Sequence, residues 1–239
     1  MSRPAFYALE PGGWRDYVTL LHLPYTAWHL SYVVIGAALV PELEGRRLVA
    51  ALVAFFLALG IGAHALDELV GRPLRTRIPD NVLIGLAAVS IGAAVAIGIG
   101  AALAWTLWLL PFVAVGAFLV LAYNLELVGG RFHTDLWFGI TWGAFPLLTA
   151  YLVAAENLTV EALLAAFFAL LTSLVQRTLS TPVRRLRRSV VDVTGTLTLT
   201  EGGQEEITAD TLIAAPERAL RLLTVAMVSL AAALLALRF

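Results

Sequence analysis

The chain has 239 residues, of which 60% are hydrophobic and 14% charged, with a mean hydropathy of +0.86. A soluble domain carries roughly 25% charged residues, so a water-soluble globule of this composition would leave its surface uncovered, and a disordered chain would be far less apolar. The net charge of −1 points to no polyanionic partner, nucleic acid included, and the absence of cysteine excludes disulfides, thiolate metal ligands and a cysteine nucleophile. What remains is an all-α polytopic membrane protein whose first partner is membrane lipid.

In chain order, residues 1–17 form a polar segment that is too acidic for a cleaved signal peptide. A helix needs about 20 apolar residues to cross a bilayer, and seven stretches qualify: 18–40, 48–66, 82–103, 104–123, 136–155, 162–178 and 218–237. The third and fourth share one apolar run, divided near residues 98–105, where glycines cluster, because one helix of that length would be about twice too long. Gly139 and Gly143 in the fifth span have the GxxxG spacing of close helix packing. Residues 189–211 alternate β-branched residues around Gly202-Gly203, which predicts a β-hairpin between the last two spans. The predicted organisation is therefore an N-terminal segment (1–17), six helices (18–178), an Arg-rich loop carrying the hairpin (179–217) and a seventh helix (218–239).

All sixteen basic residues are arginine, and thirteen fall on one side of this seven-span topology against three on the other. By the positive-inside rule the thirteen face the cytoplasm, which places the N-terminus inside, the C-terminus outside and the protein in the inner (cytoplasmic) membrane.

Ionisable residues at the membrane edge are costly and are candidates for function. Three groups share the arginine-rich side. His64, Asp67 and Glu68 end the second span with spacings that put them on one helix face. Asn124 and Glu126 end the fourth, and His133 and Asp135 open the fifth. One pocket formed from these helix ends would offer imidazole and carboxylate ligands for a divalent cation. The alternative reading is a set of helix ends meeting water, with Asp135 serving as a helix N-terminal acid. Residues 176–188 add a further group: Arg177 lies closest to the helix and is the better anion ligand, whereas Arg184, Arg185, Arg187 and Arg188 read as a clamp against anionic lipid. His22 and His29 read as hydrogen-bonded core residues.

The stretches 21–39, 63–79 and 177–182 resemble the UbiA superfamily of intramembrane prenyltransferases. His22-Leu23-Pro24-Tyr25-Thr26, with the later Gly36, resembles the first helix of the family; His64-Ala65-Leu66-Asp67-Glu68, followed by Arg75-Thr76-Arg77-Ile78-Pro79, resembles the first aspartate-rich motif and its downstream sequence; Arg177-Thr178-Leu179 resembles the stretch after the second. Asp67 matches a motif aspartate, whereas His64 and Gly71 stand where the others belong, and no acid lies near Gln176. The resemblance implies a UbiA-like helical bundle capped on the cytoplasmic side, with Mg2+ holding a prenyl diphosphate that ionises for prenyl transfer or cyclisation. It implies catalytic roles for Asp67, Glu68, Asn124 and Glu126, and diphosphate binding by Arg72, Arg75, Arg77 and Arg177. Metal ligands would come from His64, Asp67, Glu68, Glu126, His133 and Asp135. Two alternatives stand beside it: a transition metal at His64 and His133 with carboxylates, acting on a lipid or quinone-like substrate, and a non-catalytic isoprenoid- or lipid-binding protein. Prenyl chain length, acceptor and oligomeric state are left open by the sequence.

Overall fold

The structure is a computed structural model and describes residues 3–239. Its helices, in chain order, are α1 (Trp14–Leu20), α2 (Leu23–Ala38), α3 (Gly45–Leu69), α4 (Asp80–Ala104), α5 (Leu109–Asn124), α6 (Asp135–Ala155), α7 (Val160–Ser189) and α8 (Ala209–Ala236). Strands β1 (Thr196–Thr198) and β2 (Gln204–Glu206) pair antiparallel between α7 and α8, with Leu197 opposite Glu205. The hairpin is thus where the alternation placed it, and both strands are exposed throughout.

Five helices, α3, α4, α6, α7 and α8, are long and apolar enough to cross a membrane, against seven expected. The first expected span is broken at His22, whose left-handed backbone (φ 46°) separates α1 from a 16-residue α2 with Pro24 in its first turn. The fourth, α5, also has 16 residues, because the long apolar run ends one helix at Ala104 and begins the next only at Leu109. Conversely, α7 runs on to Ser189 and α8 starts at Ala209, well outside the apolar stretches 162–178 and 218–237. Hydropathy marks where apolar side chains stop, whereas arginine is a good helix former and lets the helix continue into polar surroundings.

Two helices contain π-helical turns, Phe56–Ala63 in α3 and Ile140–Ala144 in α6. Small residues let the helices meet at close range. A Cβ on Gly143 would overlap the Ala169 carbonyl of α7, and one on Gly36 would overlap the Leu147 carbonyl of α6. The GxxxG stripe of the fifth span is therefore a packing surface, as its spacing predicts.

α2 runs through the middle of the bundle. Its Trp28, Tyr32 and Ile35 pack with Leu147 of α6, Ala166 and Ala169 of α7, and Met227 and Ala231 of α8. A second cluster joins Leu59, Ala63 and Leu66 of α3 to Leu83 and Ala87 of α4, Val120 of α5 and Trp142 of α6. Outward, Val89, Phe167 and Val225 are exposed, as the lipid-facing surface of a membrane-embedded protein requires. One end of the bundle is tied by Arg47, which donates to the Val153 carbonyl and pairs with Glu156, and by Arg238, which donates to the Ala38 carbonyl. The other end carries the N-terminal segment, the 70–79 loop and most of the arginines. There Arg187 pairs with Glu217, and Arg188 donates to the Pro4 carbonyl.

Candidate functional site

At the arginine-rich end the helices enclose a polar cavity of about 390 Å3. Its wall includes Tyr7 of the N-terminal segment, His22, Tyr25 and His29 around α2, His64 and Asp67 of α3, and Tyr123 and Asn124 of α5. Glu126 and His133 come from the α5–α6 connection, Phe138 and Trp142 from α6, and Gln176, Arg177, Ser180, Arg184, Arg185 and Arg188 from α7.

The wide turns shape this wall. The Gly60 carbonyl of the α3 π segment accepts a hydrogen bond from His64 Nδ1 at 3.1 Å, and the Trp142 carbonyl of the α6 π segment accepts one from His29 Nδ1 at 2.7 Å. His133 Nδ1 donates likewise to the Tyr123 carbonyl at 3.0 Å, with its ring stacked on Tyr123. A carbonyl can only accept, so Nδ1 carries the proton in all three rings, and a neutral ring then keeps its lone pair on Nε2. His22 stacks on His64 with ring centroids 4.0 Å apart, and its Nδ1 meets the Tyr7 hydroxyl at 3.1 Å. Burial pushes the Tyr7 pKa up, so that hydroxyl stays protonated and available as a donor. His22 and Glu126 both hold left-handed backbone (φ 46° and 49°), strain of a kind that collects at functional walls.

Of the residues the sequence singled out, the fold brings His64, Asp67, Asn124, Glu126, His133 and Arg177 to the cavity. It places the others elsewhere. Glu68 is fully buried beneath the 70–79 loop, where its carboxylate accepts from Leu74 N, Thr76 N and Thr76 Oγ1 at 2.8–2.9 Å. Arg72 donates to the Ile78 carbonyl and pairs with Asp80, while Arg75 and Arg77 are exposed on the same loop. Asp135 is the first residue of α6 and pairs with Arg177 Nε at 2.9 Å, outside the cavity wall. The described residues contain no group of three or more His, Asp and Glu that could hold a metal ion. With Glu68 bound by the loop and Asp135 by Arg177, the six expected ligands do not assemble as one set, and the wall keeps His64, Asp67, Glu126 and His133.

Sequence reasoning missed Tyr7, Tyr25, His22, His29, Arg184, Arg185 and Arg188 as wall residues. One signal was present: Gln176, Ser180, Arg184 and Arg188 are spaced by four and form a stripe on one helix face. It is visible only once α7 is known to continue past residue 178.

Next to the polar cavity lies an apolar chamber of about 100 Å3 between α3, α4, α5 and α6, lined by Ala54, Phe55, Ala94, Gly98, Phe112, Gly116 and Phe145 among others. Leu59 and Trp142 line both spaces. Together they offer a charged pocket for a head and an apolar slot for a tail. No family model, curated protein or solved structure matches this chain.

Proposed function

We propose that this chain is a UbiA-like integral membrane enzyme acting on a prenyl diphosphate, by prenyl transfer or cyclisation. The single observation that carries the reading is that an arginine-lined polar cavity and an apolar chamber are neighbours, sharing Leu59 and Trp142 in their walls. An amphiphile with an anionic head and a hydrocarbon tail is complementary to that pair of spaces. The resemblance around His22–Thr26 and His64–Pro79 supports the same class.

In this reading the allylic C–O bond breaks, and its electron pair leaves with the diphosphate oxygen, whose charge the arginines stabilise. The allylic cation is captured either by an acceptor's electron pair or by an alkene of its own tail, forming a C–C bond. A proton is then lost to a base, for which the Nε2 lone pairs of His64 and His29 are suited. Apolar walls keep water from quenching the cation. Asp67, Asn124 and Glu126 complete the polar cap, with the two carboxylates on the same wall as the arginines. We further infer that α1–α2 and α5 complete seven crossings, with the arginine-rich end and N-terminus cytoplasmic and the C-terminus outside.

The test is diphosphate release from geranyl, farnesyl and geranylgeranyl diphosphates by detergent-purified protein, beside Asp67→Ala. Release from at least one chain length, lost in the variant, is expected. No release from any of them by a folded sample would sink the enzymatic reading. A second reading, a histidine-based site acting on a quinone-like substrate, draws on the shared Nδ1-protonated state of His29, His64 and His133, a feature common among metal-ligating imidazoles. Tightly bound transition metal in the purified protein would favour it.

A further inference from the structure

We infer that the phosphate head of the ligand is held by direct arginine contact from α7, with no divalent cation bridging it to carboxylates. This deepens the reading above and rests on it for the nature of the tail. The wall carries four arginines, Arg177, Arg184, Arg185 and Arg188, against two carboxylates, Asp67 and Glu126. Arg177 has Asp135 as partner, but among the described residues no carboxylate lies within ion-pair distance of Arg184, Arg185 or Arg188. Cations gathered in a recess at a membrane edge repel one another and lose hydration, so the empty arrangement favours entry of an anion.

Spacing makes the recess a phosphate site rather than a diffuse patch. Arg184 and Arg188 stand one turn apart on the same face, about 6 Å along the axis at 1.5 Å per residue. Two forked guanidiniums at that separation can each take a pair of phosphate oxygens. The polar atoms around them are unsatisfied. His22 Nε2, Tyr123 Oη and Gln176 Oε1 are buried without a hydrogen-bond partner, on residues only 8%, 5% and 2% exposed, and all three residues face the cavity. Tyr123 supplies an O–H. If Tyr7 donates to His22 Nδ1, His22 supplies an N–H from Nε2. Gln176 Oε1 can only accept, and buried polar atoms without partners mark a volume that a ligand or water fills.

A metal-bridged head would need its carboxylates grouped. The wall offers Asp67 of α3 and Glu126 after α5, no group of three or more His, Asp and Glu among the described residues could hold a metal ion, and Glu68 and Asp135 are bound elsewhere. The chemistry recognised is thus a phosphate or diphosphate ester, whether on an isoprenoid or on a bilayer lipid.

The experiment is affinity of the detergent-purified full chain for farnesyl S-thiolodiphosphate, a non-ionising analogue, in EDTA and in Mg2+. Farnesol, phosphatidic acid and inorganic pyrophosphate are run beside it. Binding that is unchanged by EDTA and weakened about tenfold or more in Arg184→Gln and Arg188→Gln supports the inference. Arg184→Lys, which keeps the charge and loses the fork, should recover only part of it, and Arg46→Gln at the far end should bind normally. Melting curves of each variant separate lost contacts from lost fold. Binding that appears only with Mg2+ would overturn the inference and leave the proposed function standing. EDTA-insensitive, arginine-dependent binding of phosphatidic acid or pyrophosphate as tight as that of the analogue would keep the arginine site and sink the isoprenoid reading. No binding of any phosphate probe by folded protein would overturn the inference.

Discussion

Glu68 accepts three hydrogen bonds from Leu74 and Thr76 and is fully buried, whereas Asp67, one residue earlier, faces the polar cavity. A 100° step around the helix is enough to give adjacent acids different work. Glu68→Gln puts an amide NH2 where N–H groups already point, leaving a buried donor unpaired at a cost of about 1–3 kcal/mol. We expect it to lower the melting temperature in detergent while the folded fraction still binds the phosphate analogue. Asp67→Asn should melt close to the parent and lose diphosphate release. Equal losses of stability in the two variants would contradict this division of labour. The histidines carry the same lesson. His22 and His29 are spaced like core residues of one apolar stretch, and only the Trp142 carbonyl and the Tyr7 hydroxyl, far off in sequence, turn them toward a cavity.

At the scale of the helix, backbone approach and the π turns decide the site. Gly143 lets α6 lie against the Ala169 carbonyl of α7, which brings Trp142 and Gln176 to the same cavity. Gly143→Leu should separate the two helices and destabilise the fold by about 1–3 kcal/mol or more, and it should weaken phosphate binding in parallel. Gly92 of α4 has nothing within 4 Å of its would-be Cβ, so Gly92→Ala should be neutral or stabilising by up to about 1 kcal/mol. Thermal melts of the two variants check the contrast. Similar behaviour would show that the α6–α7 approach is looser than the structure has it. α7 itself was legible in part. Its apolar half ends near residue 178, but its polar half, where the arginine stripe lies, continues to Ser189 because helix propensity and tertiary contacts to Glu217 and Pro4 sustain it after hydropathy has fallen.

At the scale of the whole molecule, the absence of cysteine makes the topology directly measurable. Glu201→Cys, in the hairpin, and Glu42→Cys, between α2 and α3, lie in connections at opposite ends of the expected topology. In intact cells a membrane-impermeant thiol reagent should label position 42 and spare position 201 until the membrane is opened. The reverse pattern would invert the bundle, and labelling of both would break the seven-crossing count.

The membrane class, the β-hairpin and the positions of most helices are properties of composition and local pattern: apolar runs of bilayer length, β-branched alternation around Gly-Gly, and a strongly one-sided arginine distribution. The sequence also picked out Asp67, His64, His133 and Arg177, because charge at a membrane edge is costly wherever the chain goes next. Which of those groups share a space, and which are taken up by the scaffold, was decided by tertiary structure alone. Glu68 reads as a ligand until the 70–79 loop folds over it, and Arg184 and Arg188 read as a lipid clamp until α7 turns their face onto the cavity. The second outcome depends on contacts between segments tens of residues apart, and the first on the path of a loop six to eight residues ahead, which no hydropathy or charge pattern encodes.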